Sequence, residues 1–229
     1  MGFQSYTREL GEAKYVAVQN AADCSRTNSL AKRVSDIIMA SLALVFLSPV
    51  LLLLAITIRA SDGGPAVFKH RRIGRNGQEF DCYKFRSMVR DADTRLKNLL
   101  ENDSDARDEW MSTQKLETDP RITKFGKFLR RSSLDELPQL LNIIKGDMSI
   151  VGPRPIVRDE VEKYGEFFEH YCQVRPGLTG LWQVSGRSDT TYGERVALDV
   201  KYVTDWSYAN DLRIIAKTIP AVLLSDGAR

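Results

Sequence analysis

Histidine is almost missing from this chain. Its 229 residues contain only His70 and His170, one hundred positions apart. A histidine-based catalytic triad or an imidazole-rich zinc site is therefore a poor starting point. Cysteine is scarce too. Cys24, Cys82 and Cys172 are odd in number, scattered and without metal-like spacing, which excludes a disulfide framework and fits reduced thiols in a cytosolic compartment. Neither sign of charge dominates: 33 Lys and Arg against 30 Asp and Glu leave a formal net charge of +3. That excess is too small to mark a nucleic-acid binder in a chain without a recognised DNA- or RNA-binding motif. Internal repeats and low-complexity tracts are absent, and the length suits one sizeable core with short appendages.

What the chain does have is one long uncharged run. "IIMASLALVFLSPVLLLLAITI" extends from Ile37 to Ile58 with no charge between Asp36 and Arg59. A straight helix of that length reaches about 33 Å, enough to span a bilayer. Two features favour a different path. Ser48-Pro49 lies at the midpoint, where Pro49 removes an amide donor and crowds the carbonyl of Val45. Both flanks are also basic, with Lys32 and Arg33 before the run and Arg59, Lys69, Arg71, Arg72 and Arg75 after it, and basic flanks stay on the cytoplasmic side. A helix bent at Ser48-Pro49, each half about 15 Å long, enters one leaflet and returns. A re-entrant hairpin is expected, with a simple span as the alternative.

Around this run the chain divides into a polar leader over 1–30, the expected membrane helix over 31–60 and a larger domain over 61–229. Gly64–Met88 carries β-branched and aromatic residues on either side of "GRNGQ", which predicts two short strands and a turn. Arg90–Lys115 predicts surface helix broken at "NDSD". Tyr164–Cys172 predicts a short helix, and Val174–Ser188 a glycine-rich loop with a short strand. Asp211–Leu224 reads as an amphipathic helix for the core or the membrane interface. In "SSLDELPQLLNIIKG", Leu137, Leu140, Leu141 and Ile144 form an apolar stripe, and Ser133 with Glu136 fits a capping box at the helix start.

Asp135 and Glu136 open that helix. An acid pair in a first turn is often only a stabiliser of the helix, but its neighbours are unusual. Arg130 and Arg131 stand just before it, Arg154 is held between prolines in "PRP", and Lys84, Arg86, Arg175 and Arg187 sit in short strand-like or glycine-flanked stretches. Arginines bind phosphate bidentately, a divalent cation can bridge carboxylate and phosphate, and an ionised carboxylate can attack phosphorus. The set points to phosphoryl chemistry at a membrane.

Taken in order, "KRVSD", the Ser48-Pro49 break, "YKFRSM", "DPRITKFGKFLRRSSLDELPQLLNIIKGDMSIVGPRP", "VRPGLTGLWQVSGR" and "LDVKYV" resemble the bacterial polyprenyl-phosphate sugar-1-phosphate transferases, or monotopic phosphoglycosyl transferases. The likeness covers about Lys32 to Val222. It implies an α+β, mainly helical monotopic membrane protein with one re-entrant helix hairpin, surface amphipathic helices and a small cytosolic-face catalytic domain. It further implies that Asp135 is a nucleophile toward the β-phosphorus of a UDP-sugar and that UMP is released. The covalent sugar phosphate then passes to undecaprenyl phosphate. Mg²⁺ is expected at the dyad, on Asp135, with Glu136 as the second acid and Lys84, Arg130, Arg154, Arg175 and Arg187 as phosphate-binding groups. The resemblance is strongest to transferases that initiate exopolysaccharide synthesis from UDP-galactose or UDP-glucose. It places the chain on the cytoplasmic face of the bacterial inner membrane, among its lipids and beside downstream glycosyltransferases, as a minimal catalytic unit. The rival reading is a non-catalytic scaffold whose basic groups bind anionic lipids.

The membrane path is open to direct test. With the native cysteines replaced, single cysteines at Ser25 and Ser104 should both be protected from a membrane-impermeant thiol reagent in intact cells. Labelling of position 25 alone would show that the run spans the bilayer.

Overall fold

The computed structural model describes residues 29–113, 116–186 and 190–223. Residues 1–28 of the expected leader, the ends of two expected helices at Lys115 and Leu224, and Arg187 lie outside them.

The apolar run forms α1, Leu30–Asp62. Ser29 caps its start by accepting from Lys32 N, and Gly63, at φ 71°, closes its end with an N–H to Arg59 O; that left-handed position suits a residue without Cβ. The break expected at Ser48-Pro49 does not divide the run into two helices. Pro49 lies inside one helix, and the Ser48 hydroxyl donates to Val45 O at 2.8 Å. That is the carbonyl the missing Pro49 amide would have served, so the proline's cost is partly offset locally.

One side of α1 belongs to the protein core. Ala40, Ala43 and Leu44 pack with Phe80, Cys82, Leu140, Ile143 and Met148, while Leu51, Leu54, Ala55 and Ile58 pack with Phe85, Phe125 and Leu129. Its other side exposes Val34, Ile38, Leu42, Val45, Phe46, Leu52, Leu53 and Ile56. An exposed apolar face of this extent marks an interaction with lipid or partner. At its polar end three residues fasten α1 to the rest. Lys32 Nζ bonds Asp211 Oδ2 at 2.6 Å and Val151 O at 3.3 Å. Arg33 reaches Ile143 O and Ile144 O at 2.6 and 3.0 Å. Asp36 accepts from Ser149 Oγ and Ile150 N at 2.8 and 3.2 Å.

The hairpin expected over Gly64–Met88 is present. Strands β1 (Val67–Ile73) and β2 (Glu79–Phe85) pair antiparallel, with His70 opposite Cys82 and Phe68 opposite Lys84. Asn76, at φ 59°, makes the turn, a conformation asparagine tolerates. The surface helix divides as expected, into α2 (Ala92–Asn102) and α3 (Ser104–Thr113). Next come α4 (Lys124–Arg131) and α5 (Gln139–Lys145). Strand β3 (Ser149–Val151) then pairs in parallel with β4 (Gly177–Thr179). Between them lie α6 (Val161–Tyr164) and α7 (Phe168–Gln173); the helix expected over Tyr164–Cys172 begins as a 3-10 turn, Gly165–Phe167, and becomes α-helical only in α7. Gly152 and Gly177 touch backbone to backbone, and a Cβ on Gly177 would collide with Gly152 N. That approach brings "GPRP" against "RPGLTG".

Helix α8 (Leu181–Ser185) was not anticipated in the glycine-rich segment. It is followed by α9 (Tyr192–Thr204) and α10 (Tyr208–Leu223). Helix α9 carries Asp199 into a cluster with Ile156, Tyr164 and Tyr171. Its Oδ2 accepts from Tyr164 Oη at 2.7 Å. Burial pushes Asp199 up to about 7, against the opposing effect of that bond.

The folded state thus holds the Asp199 proton more tightly than the unfolded chain, where an aspartate titrates near 4. Its contribution to stability is complete below that value and is lost as pH rises through about 7, a change on the order of 4 kcal/mol. Asp199→Asn should flatten this decline. Thermal unfolding of the detergent-solubilised protein from about pH 5 to about pH 8 should show a smaller fall in Tm for the variant than for the parent.

Candidate active site

Asp135 and Glu136 lie in a tight 3-10 turn, Leu134–Glu136, between α4 and α5. The capping box expected at Ser133 is not formed: Ser133 has φ 55° and ψ 15°, and its side chain caps nothing. It stands one residue past the C-cap of α4, with its N–H on Arg130 O, so it ends one helix instead of starting the next. Glu136 N bonds Ser133 O at 3.2 Å, closing the turn that carries the acids. A positive φ in a residue with Cβ stores strain, and here it lies beside the site chemistry. Helix α5 begins only at Gln139, after Pro138.

The two acids differ sharply. Glu136 Oε1 accepts from Lys84 Nζ at 2.6 Å and lies 3.7 Å from Arg154 Nη2. Burial pushes its carboxyl up, but Lys84, Arg154 and Arg72 together outweigh burial and hold it at about 2. Asp135 is 8% exposed. Burial raises it, the Glu136 charge adds to the rise, and Lys84, Arg130 and Arg154 offset only part. Among the described residues none donates a hydrogen bond to the Asp135 carboxylate, whereas Glu136 is tied down by Lys84. The pair therefore consists of one anchored anion and one acid left available.

Three of the expected basic residues converge on the dyad. Lys84 comes from the end of β2 and Arg154 from "PRP". Arg130 comes from α4, where its Nε donates to Ser87 Oγ at 2.9 Å. Gly126 lets α4 approach, because any Cβ there would strike the Ser87 backbone. Arg175 does not join them. Its Nε donates to Gly146 O at 2.8 Å, and it lines a separate cavity with Lys32, Arg33 and Asp36. The carbonyls at the C-terminal end of α5 lack helical donors, and Arg175 serves them with Arg33. Arg187 lies outside the described residues, and Ser48 and Pro49 sit in α1 on its solvent-accessible stretch.

Glu136, Lys84 and Arg154 open onto a cleft that is also lined by Arg72, Gln139 and Gln183. Those last three were missed from the sequence. The signal for Arg72 was available in the strand pairing: His70 and Arg72 alternate on the face of β1 that opposes Cys82 and Lys84. Nothing local marked the glutamines.

Among the described residues no group of three His, Cys, Asp or Glu could cage a metal. The dyad still fits a hard cation such as Mg²⁺, which binds through one or two carboxylates and takes further oxygens from substrate phosphate and water. With Glu136 paired to Lys84, Asp135 is the carboxylate free to contribute.

Residues 27–225 match the family model described as bacterial sugar transferase. The chain is 50% identical to the exopolysaccharide production protein ExoY of Sinorhizobium fredii, over 98% of this chain and 99% of that protein. It is 49% identical to the undecaprenyl-phosphate galactose phosphotransferase of Salmonella typhimurium over 95% of this chain and 45% of that protein. It is 40% identical to the UDP-glucose:undecaprenyl-phosphate glucose-1-phosphate transferase of Escherichia coli over 85% of this chain and 40% of that protein. The chain thus spans less than half of the latter two and nearly all of the first. With the dyad, its cations and the apolar helix all inside the matched region, this chain belongs to the bacterial sugar transferase family.

Proposed function

We propose that this chain transfers a sugar 1-phosphate from a UDP-sugar to undecaprenyl phosphate, through a covalent intermediate on Asp135, as the first membrane step of exopolysaccharide synthesis. The observation that carries this reading is the asymmetric dyad. Glu136, which lines the cleft, is fixed by Lys84 and Arg154, while the neighbouring Asp135 lies unbonded among cations. In the first step an Asp135 oxygen attacks the β-phosphorus. The bond from that phosphorus to the bridging oxygen breaks, and UMP leaves with the electron pair. In the second step an oxygen of the lipid phosphate attacks the same phosphorus, the bond to Asp135 breaks, and the carboxylate is restored.

The chain's own groups have separate tasks. Arg130 and Arg154 bind and orient phosphate oxygens, since a planar guanidinium matches them with two parallel bonds. Lys84 keeps Glu136 in place and adds positive charge beside the attacking carboxylate. Mg²⁺, held by Asp135 together with substrate phosphate oxygens, would supply charge neutralisation. The sugar is galactose or glucose, on the strength of the relatives' names.

The membrane placement is monotopic, on the cytoplasmic face. Both halves of α1 pack on one catalytic unit, and its flanks are basic at both ends. A straight helix of 33 residues is about 50 Å long, and one fastened along its length to a single unit dips into one leaflet more readily than it crosses two. The long apolar helix and its exposed face support membrane association.

The decisive measurement is UMP release from UDP-galactose and UDP-glucose by the purified chain with Mg²⁺ and undecaprenyl phosphate. Asp135→Asn keeps the shape and removes the charge, so turnover should drop to background while the protein remains folded. Appreciable turnover in that variant would sink the nucleophile assignment, and a sugar-phosphate adduct on Asp135 after incubation with UDP-sugar alone would support it. Arg154→Lys retains charge but loses the planar fork, and should lose about tenfold or more in kcat/KM. Near-parental activity would mean that a point charge suffices there.

A further inference from the structure

Arg72 takes no part in the chemistry described above, yet its side chain is largely enclosed at the wall of the same cleft, 14% exposed. The pairing register places it on the β1 face shared by His70, Cys82 and Lys84. Its Nη2 lies 3.3 Å from His70 Nδ1. Burial, Arg72 and Lys84 hold that imidazole down at about 4, so near neutral pH it is uncharged and can accept from the guanidinium. Its nearest carboxylate oxygen, Glu160 Oε2, is 3.7 Å away and already accepts from Val157 N at 2.9 Å. Within the cleft lining, Arg72, Lys84 and Arg154 face a single carboxylate, Glu136, whose Oε1 is engaged by Lys84.

An enclosed guanidinium aimed by a neutral histidine, without a closely bonded carboxylate of its own, is built to receive an anion. The same cleft holds a second unmet group: Gln183 Oε1 is buried with no hydrogen-bond partner. Such an acceptor calls for an N–H or O–H from a ligand. We propose that Arg72 binds a phosphate of the uridine nucleotide, oriented by His70, with Gln183 accepting from a donor group of the same ligand. This rests on the transfer reaction above and deepens it by separating the nucleotide's phosphate from the lipid's. Position favours the nucleotide. Arg72 adjoins Ile73 of the core that contains Ile156, Tyr164 and Tyr171, where no residue of α1 enters. A water-borne ligand suits that side better than a phosphate tethered to the bilayer. His70 is a positioning residue in this scheme.

The test uses the full chain in detergent. UMP binding is measured by titration calorimetry for the parent, Arg72→Gln, Arg72→Lys and His70→Phe. KM is measured separately for UDP-sugar and for undecaprenyl phosphate. Arg72→Gln should weaken UMP about tenfold or more, as expected for loss of a charge-assisted bond, and should raise the UDP-sugar KM in step. The lipid KM should stay put. Arg72→Lys should recover part of the UMP affinity, and His70→Phe should lose part of it with Arg72 intact. Should the glutamine variant fail to fold, the lysine variant decides, since it too must bind UMP more weakly than the parent. Parental UMP affinity in a folded Arg72 variant, or a rise confined to the lipid KM, overturns the proposal. A parent that binds UMP but releases none from UDP-sugar would defeat the transfer reading, while the titration would still decide the role of Arg72.

Discussion

Three charged residues at the start of α1 hold the molecule in one arrangement. Lys32 and Asp36 are almost fully buried, and a buried charge is tolerable only where partners replace its water. Here the partners are specific. Lys32 meets Asp211, whose other oxygen accepts from Tyr202 Oη at 2.9 Å. Asp36 meets Ser149 and the Ile150 amide, and Arg33 meets the last carbonyls of α5. Displacing α1 by a turn would strand several of these groups at once. The apolar helix is therefore seated on β3, α5 and α10 in a single register, although apolar packing alone would allow it to slide.

The site inherits its position from that seating. Helix α5 is gripped at its C-terminal end by Arg33 and Arg175, and the dyad turn sits just before its other end. The proposed transfer to a lipid phosphate needs the dyad at a fixed depth, and the helix with the exposed apolar face also holds the helix that follows the dyad. The hairpin contributes the other constraint. Lys84 at the end of β2 ties Glu136 to the sheet, so the turn is fixed from two sides, and the positive φ at Ser133 is sustained by structure around it.

Much of this was legible from sequence because it depends on short-range physics. The turn at Asn76-Gly77, the alternation in β1 and β2, the interruption of the surface helix and the apolar run all follow from local pattern. The start of α5 was misplaced for an instructive reason. Ser133 and Glu136 have the spacing of a capping box, but the same serine was needed to end α4, and the left-handed geometry of that role excludes the other. Helix α8 was hidden because its five residues follow a glycine-rich stretch and are stabilised by packing more than by propensity.

By itself the sequence determined the kinds of chemistry present: a long membrane-seeking segment, a pair of acids between arginines, and the ordered motifs of the family. Those are properties of composition and spacing, which survive without coordinates. Which cation serves which anion was decided only by tertiary structure. Arg154, 18 positions beyond Glu136, and Lys84, 52 before it, arrive at the same carboxylate, while Arg175 is diverted to a helix end and Arg72 turns inward to the cleft. An arginine's partner is the nearest acceptor left without water when the chain closes, and that depends on contacts between segments that no local period encodes.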